Sequence, residues 1–329
     1  MPHTPSRRQL LQGMAASLLV PSLCAHAQSW PGSRTVRFVS LNPAGDPIDI
    51  RLREFLKDLT TVLGGATLIT DNKPGAGGVL AHQSVLNAPA DGLSVLLGNA
   101  SMTIIPTYFR KLGYNPAKDF SPVAFSGTSA IGLAIPASRP ETTLADWLAW
   151  ARRQKGDLNF ASPGGGSVSH LYGFELADRM GIQATHIPYK GSAPALLGMM
   201  AGETQFTMLD IFGLRPMLSN GGLRLLAVTG AERSKHVPDI PTFKELGHEG
   251  YERVGWSAYF MKTGTPTPIL DQVARAINQV NALPGWEERR KQIWSAWPGP
   301  LSPAELARLV QAETETWAAV IRKAGVYGD

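Results

Sequence analysis

A single cysteine serves the whole 329-residue chain, and Cys24 falls in an N-terminal segment with the marks of an export leader. Once that leader is removed no thiol remains, which excludes disulfides, thiol catalysis and thiolate metal sites. Long apolar runs are missing as well: no stretch approaches the ~20 residues that a membrane-spanning helix needs. Charge is sparse and mixed, at 17% of residues, and the densest run, Glu287-Glu288-Arg289-Arg290-Lys291, sets acids beside bases. A nucleic-acid footprint needs a clustered basic patch, so no nucleic-acid partner is expected. Nucleotide signatures are lacking too, because there is no G-x-x-x-x-G-K-S/T and Gly164-Gly165-Gly166 is not G-x-G-x-x-G. Beyond the leader, His82, His170, His186, His236 and His248 are not spaced as a metal pair with an acid. No metal and no cofactor are expected.

The leader itself is legible. Arg7 and Arg8 precede an apolar, small-residue run from Leu10 to Leu23, and Ala25-His26-Ala27 gives a small-x-small cleavage site. Residues 1–27 therefore read as a cleaved export signal, which places the mature protein in the periplasm. Ser6-Arg7-Arg8-Gln9-Leu10-Leu11 also resembles a twin-arginine signal, the route for export after folding. A lipoprotein anchor at Cys24 is disfavoured by Leu23, which stands where such a site needs a small residue. Removing the leader lowers the formal charge from +5 to +3, since 29 basic residues then face 26 acidic ones.

What remains is an alternation. Thr35–Leu41, Ala66–Thr70, Leu93–Leu97, Ile131–Ile135, Leu158–Ala161, Gln205–Leu209 and Leu223–Thr229 read as strands. Pro47–Leu63, Leu144–Gln154, Ser169–Met180 and Ala193–Ala201 read as helices by apolar spacing. The pattern predicts an α/β protein with mostly parallel, doubly wound sheet. Asp46-Pro47, Thr267-Pro268 and Ser302-Pro303 mark helix starts, and Ser302 with Glu305 forms a capping box before a long C-terminal helix.

Two loops leave predicted strands and open predicted helices. Asn42-Pro43-Ala44-Gly45-Asp46 follows the first strand, and Ser162-Pro163-Gly164-Gly165-Gly166-Ser167 follows Leu158–Ala161. In open α/β sheets ligands sit outside the carboxyl ends of strands, where helix N-termini favour anions. Ser162, Ser167 and Ser169 add hydroxyls. Asp210 follows an apolar strand, as a site acid or as a cap. His170 lies three residues after Ser167, which raises the alternative of a secreted hydrolase, although no G-x-S-x-G elbow occurs.

Taken in order, several segments resemble the Bug-type extracytoplasmic receptors of tripartite tricarboxylate transport systems. They include Asn72-Lys73-Pro74-Gly75-Ala76-Gly77-Gly78, Ala90-Asp91-Gly92, Tyr114-Asn115-Pro116, Asn159-Phe160-Ala161-Ser162, Pro188-Tyr189-Lys190-Gly191-Ser192 and Pro238-Asp239-Ile240-Pro241-Thr242. The resemblance implies a two-lobed periplasmic binding protein of type II, a Venus flytrap with each lobe a mostly parallel sheet flanked by helices. Residues 28–129 and 254–329 would form one lobe, and 130–253 the other, with a ligand cleft between them. It implies a non-enzymatic, monomeric receptor that closes on a dicarboxylate, aromatic acid or amino-acid-like ligand. Delivery would be to the membrane subunits of a transporter or, alternatively, to a signalling partner. The positions it carries over as ligand-binding are Asn42, Pro43, Ala44, Gly45, Asp46 and Asp49, then Asn99 and Ser101, then Ser162, Gly165, Gly166, Ser167 and His170, with Asp210 beside the usual acid position. Ala44-Gly45 stands where the family shows a double glycine, and Asp46 follows it. Asp46 either caps its own helix or turns the ligand's amine or neutral end toward itself.

Overall fold

The computed structural model describes residues 30–156 and 158–328; the leader, residues 1–27 with Cys24, lies outside the described residues. Two five-stranded sheets carry the architecture. The first begins with β1 (Val36–Ser40), α1 (Pro47–Val62), β2 (Leu68–Asn72), α2 (Val79–Leu86) and β3 (Ser94–Asn99). It continues through α3 (Ser101–Tyr108) and α4 (Pro116–Asp119) to β4 (Phe120–Ser129). The second comprises β5 (Ile131–Pro136), α5 (Leu144–Ala151), β6 (Asn159–Ser162), α6 (Val168–Met180), β7 (Thr185–Pro188), α7 (Ser192–Met200), β8 (Phe206–Asp210), α8 (Ile211–Ser219) and β9 (Leu223–Val228). The chain then returns to the first sheet with β10 (Gly255–Lys262), followed by α9 (Thr267–Asn281), α10 (Pro284–Gln292) and α11 (Pro303–Ala324).

Strand order is β2-β1-β3-β10-β4 in the first sheet and β7-β6-β8-β5-β9 in the second, the same pattern twice. The sheets are mixed rather than purely parallel. β1 pairs parallel with β2 and β3, whereas β10 runs antiparallel to β3 and β4. In the second sheet β6 pairs parallel with β7 and β8, and β5 runs antiparallel to β8 and β9. The reversed strand in each case is the one that arrives from the other sheet. Only Ala130 separates β4 from β5, so the chain runs from the end of one sheet straight into the start of the other.

Local chemistry places the first helix as the sequence predicts. Asp46 accepts a hydrogen bond from the Ile48 amide at 2.9 Å and Pro47 occupies the first turn, where its missing N–H costs nothing. Asp49, Leu52, Leu56 and Leu59 recur at helical spacing and are buried. Phe38, Phe55, Tyr259 and Trp286 fill the core beneath, with Phe55 and Tyr259 stacked at 5.7 Å. The second sheet buries Trp147, Phe160 and Phe206, whose rings meet at 5.1 and 5.4 Å.

The C-terminal helix belongs to both. Its capping box is formed, with the Glu305 amide donating to Ser302 Oγ at 3.2 Å and the Ser302 amide to Glu305 Oε2 at 2.8 Å. Leu306 and Val310 near its start pack into the first sheet's core, while Trp317 and Ile321 near its end pack into the second's. Trp256, on β10, donates its indole N–H to Glu313 at 2.7 Å. Arg253, on the return to β10, lies over Trp317 at 4.8 Å and pairs with Glu175 at 2.9 Å. Truncating Trp317 to Ala should therefore cost about 3–5 kcal/mol of unfolding free energy, the range for deleting a buried aromatic. Urea denaturation measures it, and a loss below 1 kcal/mol would show that the helix end is dispensable.

Candidate functional site

A cavity of about 490 Å³ lies between the two sheets, at the carboxyl ends of their strands. From the first sheet come the turns after β1 (Asn42, Pro43), β2 (Pro74 to Gly78) and β3 (Asn99, Ser101). The second contributes the loops after β6 (Pro163, Gly164, Ser167, Ser169) and β7 (Tyr189 to Ser192), and Asp210 at the end of β8. Gly127 to Ser129 and Gly255 to Ser257, where the chain crosses, close the remaining side. Convergence of strand ends in this way is the usual place for ligands in α/β proteins.

The loop after β1 is held by one carboxylate. Asp49 accepts from the Gly45 amide at 2.9 Å, from Arg53 Nε at 2.9 Å and from Asn72 Nδ2 at 2.9 Å. Burial opposes its charge, but these bonds prevail and hold its carboxyl below the ordinary value. Asn72 also donates to the Asn42 carbonyl at 2.9 Å, so β2 and α1 jointly fix the turn. Asn42 and Pro43 line the cavity; Ala44, Gly45, Asp46 and Asp49 stand behind it. Asp46 acts on its own helix, with Oδ1 on the Ile48 amide and the Asn42 side chain beside it, while Oδ2 is buried with no hydrogen bond inside 3.5 Å among the described residues. Burial, with repulsion from Asp210 second among the raising effects, pushes its pKa up to about 6.

The glycine loop is shaped from beneath. Ser162 Oγ bonds His186 Nε2 at 2.6 Å and accepts from the Gly164 amide at 3.1 Å. The Gly166 amide donates to His170 Nδ1 at 3.2 Å, and the rings of His170 and His186 stack at 3.8 Å. Burial pushes these imidazoles down to about 3 and about 4, so both stay neutral, each with one ring nitrogen protonated and the other free to accept. Ser167 caps α6 by accepting from the His170 amide at 3.2 Å. Ser167 faces the cavity, whereas Ser162, Gly165, Gly166 and His170 lie outside its lining. The glycines there answer to packing: a Cβ on Gly165 would sit 2.6 Å from the Tyr108 hydroxyl. One on Gly77 would sit 2.8 Å from the Gly165 carbonyl oxygen, and its φ of 61° already favours glycine. At that point the two lobes meet backbone to backbone.

Asn99, Ser101 and Asp210 reach the cavity as expected. Asn99 accepts from the Ser101 amide at 2.9 Å, and Asp210 caps α8 through the Gly213 amide at 2.8 Å. Burial raises the Asp210 pKa, partly offset by Arg51. Arg51 is the side chain that the sequence reading missed. Its guanidinium lines the cavity and reaches only hydroxyls, Ser257 Oγ at 3.2 Å and Ser295 Oγ at 3.4 Å. Among the described residues no carboxylate lies within ion-pair distance of it. The signal was present: Arg51, Phe55 and Leu59 are spaced by four, so this arginine sits on the apolar stripe of α1. Lys190, on the opposite wall, is a second cation without an ion pair among the described residues.

Comparison with known proteins agrees with this geometry. The sequence profile of the tripartite tricarboxylate transporter family receptor matches residues 52–326. The UPF0065 protein in the tcbD-tcbE intergenic region of Pseudomonas sp. (strain P51) is 30% identical over 316 residues, 96% of this chain and 94% of that protein. Among solved structures, the periplasmic binding protein BugD superposes with a TM-score of 0.83 at 28% identity, covering 90% of this chain and 99% of its own. Rpa4515 of R. palustris, solved with adipate, gives 0.85 at 30% identity, covering 91% and 99%.

The Asp46 carboxyl generates a pH signature. A folded pKa near 6, above the ordinary 3.8, means the native state binds this proton more tightly than the unfolded chain. Stability therefore falls as pH rises from about 4 to about 6, by up to ~3 kcal/mol. Asp46→Asn keeps the cap and removes the titration. It should raise the thermal midpoint at pH 7 and lose that advantage near pH 4; a pH-independent difference would refute the assignment.

Proposed function

The chain belongs to the tripartite tricarboxylate transporter receptor family, and from that premise we propose that it captures a small carboxylate-bearing metabolite in the periplasm and delivers it, chemically unchanged, to a membrane transporter. Residues 28–129 with 254–329 and residues 130–253 act as the two lobes, and the protein works as a monomer. The ligand's carboxylate lies against Arg51 and the hydroxyls around it, with Asn42, Asn99 and Ser101 on one lobe and Ser167 and Lys190 on the other. Because the ligand touches both lobes, its contacts favour the closed arrangement by the difference in affinity between the two states.

The observation that supports this most is Arg51. A guanidinium drawn out of water costs free energy unless an anion or hydrogen bonds compensate, and burial pushes its pKa below the ordinary value. Two serine hydroxyls compensate only in part. A bidentate carboxylate completes the set. Rpa4515 was solved with adipate, an acid of the kind this cavity suits. The hydrolase reading has no such support: Ser167 and His170 are each engaged in shaping the loop, and His170 does not face the cavity.

Isothermal titration of the purified protein with malate, succinate, adipate and aspartate tests the reading. At least one should bind stoichiometrically and be recovered intact. Arg51→Gln should weaken that binding roughly 30-fold, the equivalent of about 2 kcal/mol for a charge-assisted bond. Unchanged affinity in the variant would remove Arg51 from the site, and turnover of the ligand would overturn the receptor reading.

A further inference from the structure

The gap between the lobes does not end at Arg51. A second cavity, of about 470 Å³, lies beyond it between α1, α8 and α10, and the two cavities share only Arg51 and Phe212. The Arg51 guanidinium carbon stands 5.9 Å from the Phe212 ring centre, so this pair forms the partition. α1 and α10 pack with the first sheet and α8 with the second, so any opening of the lobes widens the passage. The far cavity has an apolar middle made by Phe212, Ile50, Ile293 and the Trp286 ring. Its far side carries Arg215, which among the described residues has no ion pair and touches only the Trp294 ring, at 6.0 Å. The other two charged side chains there that could compete are satisfied: Arg289 pairs with Asp58, and Glu54 with Lys57.

Two guanidiniums stand beyond ion-pair distance of any carboxylate among the described residues, with Asp210 acting on Arg51 only at longer range. With apolar surface between them, they describe a ligand with a charge at each end and methylenes between. We propose that the second cavity is a distal subsite, and that the preferred ligand is a long α,ω-dicarboxylate. One carboxylate lies against Arg51 in the main cleft, the chain passes Phe212, and the other carboxylate meets Arg215. This rests on the receptor reading above and narrows it to chain length. Each methylene buried along the passage adds affinity, and a carboxylate on Arg215 adds a charge-assisted bond.

Isothermal titration with succinate, adipate, suberate and sebacate separates the two readings. Wild type should bind suberate at least ~10-fold more tightly than succinate. Ser219→Trp, at an exposed position that lines only the far cavity, should abolish that increase and leave succinate within about 2-fold. Arg215→Gln should weaken suberate by about 10-fold and leave succinate unchanged. Circular dichroism confirms that each variant is folded, and Arg215→Gln decides the matter if Ser219→Trp is not. Succinate binding with a flat chain-length profile, or the same profile in both variants, overturns the distal subsite and leaves the receptor standing. Binding of no diacid at all overturns both.

Discussion

One constraint organises the molecule: the chain leaves the first sheet through Ala130 alone and, after the loop 229–254, re-enters it at Gly255, so both crossings open onto the gap. β5 starts at the gap and runs antiparallel to its neighbours, so those neighbours must end at the gap. β10 imposes the same condition on β3 and, through it, on β1 and β2. Both sheets thus turn their carboxyl ends, and the loops that follow them, toward each other. A cleft rich in turns, hydroxyls and helix starts is a geometric result of strands β5 and β10 both starting at the gap.

Within that cleft the charges are arranged by depth. Asp49 and Asp46 stand behind the first wall, one saturated by three donors and the other half-satisfied as a cap. Asp210 reaches the cavity, with Oδ1 engaged by the Gly213 amide at the start of α8. The cations Arg51 and Lys190 line the cavity with few claims upon them. An anion entering from water therefore finds Arg51 and Lys190 in front and Asp46 and Asp49 outside the lining, with Asp210 the one acid at the wall. The same partition makes the histidines structural: stacked beneath the glycine loop, they shape it as neutral acceptors and donors.

Much of the fold was legible. Strands such as Ile131–Pro136 and helices such as Pro47–Val62 announce themselves by apolar spacing and by caps whose chemistry is local. β4 and β10 did not, because their burial depends on partners far along the chain, and β7 did not because it is a short edge strand with no buried residue to set a pattern. The site was legible as loops rather than as side chains. Turn residues such as Asn42 and Ser167 lie where strand-to-helix junctions put them. Gly165 and Gly166 were read as ligand approach; the structure shows that they also accommodate Tyr108, a demand that only packing reveals. Arg51 escaped because a charged residue on a helix reads by default as solvated, and its neighbours Ser257 and Ser295 are more than two hundred residues away.

The helix at the end of the chain sets the kind of motion the receptor can make. With Leu306 and Val310 sunk in one core and Trp317 and Ile321 in the other, it behaves as an axle fixed at both bearings. Wide gaping would tear one bearing out. If the protein closes on a ligand as proposed, this helix accordingly restricts how far the two sheets can part.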